Sequence, residues 1–465
     1  MTQTMPRPVM PGRAADPVAV AVGNASLLGV GYFLLGRRGL AWGTGLVTVA
    51  LVAVQVAVAH SGWVEVVLVG WWLVLIGHGY LLARRSPPPV WAPKRRLTAS
   101  GVAVAVLLTV GLLRFDAGRV VAEARDSGDC AQAMAALDRA WWGHRVANAP
   151  VMARGDRTVE ACRRLRTADA ALAAGANGET AQLEAGFGAM TAVLDGLPGH
   201  EAMVGATLDA FLARLPAPDP CDTVTVTKWL RARPRGAAVL DRSAGVVARI
   251  HPAALAGCGD KLMAVKKWTD ARGLYWQLMA EYPKDPLVAK AREGARRATL
   301  PIELAHVRGL VAGSGTGYCA KPAKYSGAPP LRKGANRALF LGEDEYPGRL
   351  PGSWKTSDAA RAALVVCVDD KKYGAAVRTC PYENSKTLRG YPAQVTFHKI
   401  AVPVRVHELR TGKLVAKRTL QISGGSCPRV LHYTSYIADL GPPSQVYVSA
   451  STTTIRNAFR PLVIR

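Results

Sequence analysis

Apolar residues are concentrated in the first quarter of the chain, in four runs that carry almost no charge. Each run is about 17 to 21 residues long, close to what an α-helix needs to cross the hydrocarbon core of a bilayer at 1.5 Å per residue. After an N-terminal tail (1–16), the pattern therefore predicts a transmembrane domain over 17–114. Its four predicted helices cover residues 17–36, 40–60, 63–83 and 97–113.

The loops between these runs set the expected orientation. Arg37 and Arg38 follow the first run, five cations lie between 84 and 96, and the short turn at 60–62 carries none. Positively charged loops stay in the cytoplasm. The pattern thus predicts an N-terminus outside, four crossings, and the remainder of the chain outside. A cleavable signal peptide is the alternative for the first run, but that run is too long and lacks a cleavage site.

Glu65 and His78 are ionisable residues inside the third run. Ionisable groups at mid-bilayer usually mark an ion or proton path, but both of these lie near the end of a run. We therefore favour packing or interfacial roles for them over a transport role.

Beyond the membrane domain, the pattern changes to helical spacing. From 115 to about 312, Ala, Leu and Arg recur between clusters of Gly and Pro, which predicts an all-α region of short helices. Its clearest unit is 268–298, where Tyr275 and Leu278 share one helical face. The prolines within 282–286 break the helix before a second one rich in alanine, so the sequence predicts a helical hairpin.

This hairpin resembles a tetratricopeptide repeat of the extracytoplasmic type, in which an aromatic-rich helix ends in Tyr-Pro before an Ala-rich helix. The resemblance covers about residues 258–298, and no strict 34-residue period extends it through the region. A divergent repeat array and a nonrepetitive helical domain both remain open. If the region is an array, the resemblance implies a concave surface that binds a peptide or protein.

A glycine-rich linker precedes a module with a different pattern, 318–465. Val, Thr, Tyr and Gly alternate there, which predicts a β-rich fold. The alternating runs 395–408 and 414–422 are separated by a short turn that contains Gly412. They form the strongest predicted hairpin in the chain.

All eight cysteines follow residue 129. An even number of cysteines on one side of a membrane segment is typical of disulfides in an oxidising compartment. A metal site is the rival interpretation, but the sequence has no Cys-x-x-Cys pair. A two-residue turn at Tyr373-Gly374 would place Cys367 opposite Cys380. The preferred bridges are Cys130 to Cys162, Cys221 to Cys258, Cys367 to Cys380, and Cys319 to Cys427.

The net charge and the absence of catalytic motifs limit the functions that the sequence predicts. The chain has a net charge of +26, and the part after Arg114 still has 49 basic against 31 acidic residues. Such a surface favours anionic partners. The sequence lacks nucleophile elbows, zinc-protease helices, phosphate loops and dinucleotide fingerprints, so we predict no catalytic residue, cofactor or metal ligand. His398, His407 and His432 are interpreted as strand residues rather than as a metal site.

These features together predict a bacterial plasma-membrane protein. Its expected partners are the lipid bilayer and either envelope proteins or anionic envelope polymers, and nucleic acid is not an expected partner. The expected role is an extracytoplasmic scaffold or accessory protein. The alternatives are a hydrolase of envelope material that uses Glu343 or Asp344, and a small transporter or sensor.

Overall fold

The computed structural model describes residues 16–57, 62–85, 93–312, 316–343, 345–383, 392–434 and 441–465. Within these ranges the protein is mostly helical, with a single sheet near the C-terminus. The chain forms two compact units, Met1–Ala254 and Leu255–Arg465.

The described part of the first unit is built from helices. They are α1 (Pro17–Ala25), α2 (Val30–Leu34), α3 (Arg38–Ala57), α4 (Gly62–Arg85), α5 (Pro93–Asp126), α6 (Cys130–Leu137), α7 (Trp142–Ala147), α8 (Ala149–Gly175), α9 (Thr180–Gly196), α10 (Glu201–Ala213), α11 (Pro220–Ala232), α12 (Ala238–Asp241) and the first part of α13 (Ser243–Ala264).

Three helices are long and apolar enough to cross a membrane: Arg38–Ala57, Trp63–Arg85 and Gly101–Asp126. They lie in α3, α4 and α5, where the sequence predicts the second, third and fourth spans. At most 17% of each apolar window is buried within the protein. The exposed side chains of these helices include Leu46 (69%) and Val66 (72%), and extended apolar surfaces of this kind are typical of contact with lipid or with another protein.

The first predicted span, 17–36, is a helical hairpin instead of one helix. α1 ends at Ala25, α2 begins at Val30, and between them Leu27 and Gly29 both have a φ of 65°. A Cβ at Gly29 would lie 2.9 Å from the carbonyl oxygen of Ala41, so the turn fits closely against α3. Hydropathy does not reveal this turn, because both arms are as apolar as a continuous span.

Contacts with α4 define the course of the first arm. Val20 lies against Gly79, and the indole N–H of Trp72 donates a 2.9 Å hydrogen bond to the carbonyl oxygen of Ala25. α1 therefore runs antiparallel to α4 and reaches about the middle of that helix. Asn24 is fully buried in this contact and donates from its amide to the Leu75 carbonyl oxygen over 3.1 Å.

The second arm returns in the opposite direction. Tyr32 is 1% exposed, and its hydroxyl lies 2.7 Å from Nδ1 of His78. His78 is closer to the C-terminal end of α4 than Trp72, which contacts Ala25. The chain then reaches Arg37 and begins α3 at Arg38. Both arms of the hairpin thus lead toward the end of α4 that carries Arg85.

Helices α6 and α8 to α13 share one core in the first unit, together with Ala124 of α5. Long antiparallel contacts between α8 and α9 form its centre, and Leu172, Leu183 and Met190 are fully buried there. A disulfide between Cys130 and Cys162 joins α6 to α8, with the two Cα atoms 5.3 Å apart. This is the predicted pairing.

The second unit contains the rest of α13 and further helices around a sheet. The helices are α14 (Trp268–Glu281), α15 (Val288–Val311), α16 (Thr316–Ala320) and α17 (Thr452–Val463), with 3-10 turns at Pro347–Arg349, Gly352–Trp354 and Ala359–Arg361. The strands are β1 (Ala338–Gly342), β2 (Leu364–Val368), β3 (Lys372–Tyr382), β4 (Ala393–Glu408), β5 (Leu414–Ile422) and β6 (Gln445–Tyr447). The helical hairpin predicted over 268–298 is confirmed as α14 and α15.

The sixteen-residue strand β4 organises the sheet. β5 pairs with it in antiparallel register, with Ile400 opposite Ile422 and Val406 opposite Ala416, which confirms the predicted β hairpin. β1 lies parallel to β2, and β2 is antiparallel to the C-terminal half of β4.

Helices cover both faces of this sheet. On one face, Ile455, Phe459 and Leu462 of α17 pack against the sheet core. On the other face, Val307 of α15 and Tyr318 of α16 pack beside β1 and β2. The module is therefore a helix-covered sheet, whereas the sequence analysis predicted only that it is β-rich.

Two of the predicted cysteine pairings in this unit are wrong. Cys319 pairs with Cys367, and Cys380 pairs with Cys427, with Cα separations of 5.8 Å and 5.9 Å. The predicted turn at Tyr373 does not form, because that residue lies within β3.

The register of β4 explains the difference. β2 and β3 run in line along the same edge of β4, with Val368 opposite Val404 and Lys372 opposite Ala401. Cys367 lies opposite Arg405 and Cys380 opposite Val395, ten positions apart on β4, or roughly 33 Å, which no disulfide can span. The remaining cysteines, Cys221 and Cys258, are also disulfide-bonded, so the described residues include no free thiol.

Candidate functional site

A cleft of about 620 Å³ opens at the carboxyl ends of the parallel strands β1 and β2. Glu343 follows β1 directly, while Asp369 and Asp370 follow β2. Because the carboxyl ends of parallel strands meet at one edge of a sheet, these three acidic residues share the cleft. The Cys319–Cys367 disulfide and Arg405 complete its polar lining.

Arg405 holds one of these carboxylates in place. Its guanidinium donates 3.1 Å hydrogen bonds to the carbonyl oxygen of Cys319 and to a carboxylate oxygen of Asp369. Its Nε is buried and has no hydrogen-bond partner among the described residues. Arg405 therefore holds Asp369 in place. The other two acidic residues of the cleft, Glu343 and Asp370, form no ion pair with this arginine.

A second cavity, of about 560 Å³, lies among α13, α14 and α15 of the second unit. The phenol of Tyr275 donates a 2.6 Å hydrogen bond to Asp260, and Nζ of Lys290 lies 2.6 Å from the other carboxylate oxygen. We call this group of three side chains the Asp260 cluster. Desolvation alone would raise the pKa of Asp260, but the hydrogen bonds from Lys290 and Tyr275, together with the charges of Lys290 and Arg297, lower it, so the carboxylate stays ionised.

Tyr275 is the hydrogen-bond donor to Asp260 in this cluster. Burial, followed by the hydrogen bond to the Asp260 carboxylate, raises the pKa of its phenol, so the hydroxyl remains a proton donor. Glycines at Gly259 and Gly294 make room for its ring, because a Cβ at either position would lie within 2.8 Å of the ring atoms. The helical pattern places Tyr275 on one face of the first predicted helix and gives no sign of its polar role.

Arg297 is the remaining cation of this cavity. It lies close enough to influence Asp260, Tyr275 and Glu293 electrostatically, but it has no ion-pair partner within 4 Å among the described residues. Glu293 is instead paired with Arg296 at 2.8 Å. Among the described residues that line the cavity, Arg297 is therefore a cation without an ion pair, beside the neutralised Asp260 cluster.

Other residues singled out from the sequence lie elsewhere. His398 bonds to the carbonyl oxygen of Gly374 over 2.9 Å, and His407 is buried beside the ring of Tyr318. The described ranges contain no group of three potential metal ligands. Glu343 lies in the cleft at the sheet edge, while Asp344 falls outside the described residues.

The two ionisable residues of the predicted spans each have a partner. Glu65 forms a 2.6 Å ion pair with Arg114, which links α4 to α5. His78 contacts the hydroxyl of Tyr32, which links α4 to the α1–α2 hairpin. Both contacts join helices of the first unit.

No protein-family model, no curated protein and no solved structure matches the chain.

Proposed function

We propose that the chain is a membrane-anchored scaffold that crosses the membrane through α3, α4 and α5 and binds other envelope components outside the cytoplasm. The cavity in the second unit, with its uncompensated Arg297, is the observation that supports this proposal most strongly. An open cavity beside a helical hairpin offers contacts for an extended segment of a partner. Arg297, which has no ion pair among the described residues, favours a segment that is anionic.

The α1–α2 hairpin supports three crossings in place of the four expected from hydropathy. Both of its arms lead toward the end of α4 that carries Arg84 and Arg85, so in this proposal the chain enters α1 from the side of these cations. The tail itself carries Arg7 and Arg13, which fit a cytoplasmic location.

In the proposed topology, everything after Arg114 lies outside. α3 leaves the cytoplasm, α4 returns to it beside Arg85, and α5 crosses again. This path keeps the disulfide-bonded cysteines in an oxidising compartment, where such bonds persist. With three crossings instead of four, the N-terminus is cytoplasmic rather than outside, while the residues after Arg114 stay on the side expected from the sequence.

The resemblance of α14 and α15 to a tetratricopeptide repeat is part of the proposal. In such hairpins small residues on the second helix allow the first to pack closely, and Ala291, Ala295 and Ala298 occupy that position in α15. The cavity lies where this hairpin meets the end of α13.

Binding of a defined anionic polymer to the purified full chain tests the function. We expect polyglutamate to bind, and Arg297→Gln to weaken binding about threefold to fivefold, because a partly exposed charge pair contributes up to about 1 kcal/mol. Arg292→Gln is the matched control, since Arg292 lies exposed on the same helix outside the cavity. Equal losses in the two variants, or no binding by the native chain, would contradict the proposal.

A hydrolase of envelope polymers is the second candidate, favoured by the cleft at the sheet edge. Glu343 and Asp370 line it together, and paired carboxylates are the groups that acid–base hydrolysis requires. The test is release of soluble fragments from envelope polysaccharide by the purified full chain. This candidate requires turnover that is lost in Glu343→Gln and kept in Glu345→Gln, since Glu345 is engaged by Lys371 at 2.7 Å.

A further inference from the structure

An exposed aromatic patch lies just beyond the apolar stretch of α5. Its members are Phe115, Trp141, Trp142 and Val146, whose exposed fractions are 66%, 47%, 71% and 43%. We call these four residues the tryptophan patch. Large apolar side chains grouped in this way on a protein surface mark a contact with a partner or a membrane.

The height of the patch relative to the membrane helices is fixed by two contacts. Arg114 of α5 pairs with Glu65 near the start of α4, which marks the level where charged groups first appear on both helices. Two residues later, Asp116 lies 3.0 Å from Nε2 of His144 in α7. At 1.5 Å per residue, α7 is therefore held within about one helical turn of the Arg114–Glu65 pair.

The orientation of the patch is fixed by contacts on the other side of α7. Arg145 makes a bidentate ion pair with Asp156 of α8, with distances of 2.7 Å and 3.0 Å. The ring nitrogen Nδ1 of His144 accepts the backbone N–H of Trp141 over 3.2 Å. α7 also contacts the membrane helix α3. The polar groups of α7 are thus engaged within the protein, and its aromatic groups are left outside.

We propose that the tryptophan patch is inserted into the outer leaflet of the membrane, at the boundary between headgroups and acyl chains. Tryptophan is enriched at this boundary because its ring is apolar while its indole N–H can still reach water or headgroups. The inserted patch would fix the distance and tilt of the first soluble helices relative to the bilayer. This inference rests on the proposed crossing by α5, and is independent of what the cavity in the second unit binds.

Site-directed spin labelling of the full chain in lipid vesicles tests the inference. Because the native cysteines are disulfide-bonded, a nitroxide can be attached selectively to one introduced cysteine. The test positions are Trp142→Cys and Val146→Cys. Gly188→Cys, exposed on α9 with open space around its Cα, is the aqueous control, and Leu108→Cys, 63% exposed on α5, is the membrane control.

We expect the labels at 142 and 146 to collide more often with oxygen, which concentrates in lipid, than with a water-soluble nickel chelate, and the label at 188 to show the reverse. Nickel accessibility at 142 equal to that at 188 would overturn the inference. Low accessibility to both reagents would also overturn it, because it would indicate a protein partner on the patch. A water-like label at 108 would instead contradict the crossing by α5.

Discussion

At the scale of single residues, the Asp260 cluster joins α13 to α14 and α15 through two polar contacts of 2.6 Å. The phenol of Tyr275 is 1% exposed and donates to an ionised carboxylate. We expect Tyr275→Phe to lower the free energy of unfolding by about 1.5 kcal/mol, as is typical for a hydrogen bond to a charged group. Thermal unfolding of the purified full chain measures this change.

Trp276→Phe is the matched control for that substitution. Its ring lies 51% exposed on the next position of α14, so the change should stay within about 0.5 kcal/mol. If Tyr275→Phe were equally mild, the hydrogen bond to Asp260 would not stabilise the hairpin.

We expect His407 to make the second unit less stable in acid. Burial lowers the pKa of this histidine below its usual value of 6.5, and the charge of Arg405 adds to this effect, while a backbone hydrogen bond with Gly412 opposes it. The folded state therefore favours the neutral ring, and its stability is complete above pH 6.5 and decreases as the pH falls below that value, where the unfolded state binds the proton more readily.

Replacing His407 tests this pH dependence. We expect His407→Gln to reduce the loss of melting temperature between pH 7.5 and pH 5, compared with the native chain. His432→Gln, at an exposed position, should keep the native pH dependence. An unchanged profile in His407→Gln would show that other groups control the acid sensitivity.

At the scale of elements, the α1–α2 hairpin depends on close contact between its two arms. A Cβ at Gly23 would lie 2.8 Å from the backbone nitrogen of Gly31. We expect Gly23→Val to destabilise the chain in detergent by about 1 to 3 kcal/mol, as overpacking usually does. Gly70→Val on α4 meets open space and should be tolerated. Equal stability of the two variants would mean that the arms are not packed together.

Elements with local turn signals could be predicted from the sequence. The prolines after Tyr282 end α14, and the short turn that contains Gly412 separates β4 from β5, so both hairpins follow from nearby residues. α17 carried a signal that was missed. Ser451 caps its first turn, and Ile455, Phe459 and Leu462 recur at helical spacing, although its three threonines favour a strand.

Features that depend on distant partners could not be predicted. The reversal after Ala25 is stabilised by Trp72 and Leu75, some fifty positions away. The edge that β2 and β3 share along β4 is likewise set by pairing across the sheet, and the disulfide connectivity follows from it. The cavity around Arg297 brings together residues of three helices, whose relative placement no local pattern encodes.

At the scale of the whole molecule, the disulfides determine which parts of the second unit are joined. We expect peptide mapping of the unreduced protein to recover Cys319 linked to Cys367 and Cys380 linked to Cys427. Removing a bridge that closes a loop of this size should destabilise the unit by roughly 2 to 4 kcal/mol. Recovery of a Cys367–Cys380 peptide would contradict the in-line arrangement of β2 and β3.

In the proposed topology, one turn near Gly29 determines on which side of the membrane the N-terminus lies. It can be tested with epitope tags at the two ends of the full chain, probed by antibody in sealed right-side-out membrane vesicles and again after detergent. We predict that the C-terminal tag is accessible from the start and that the N-terminal tag becomes accessible only after detergent. An N-terminal tag exposed on sealed vesicles would contradict the hairpin and favour four crossings, and a protected C-terminal tag would contradict the placement of both soluble parts outside.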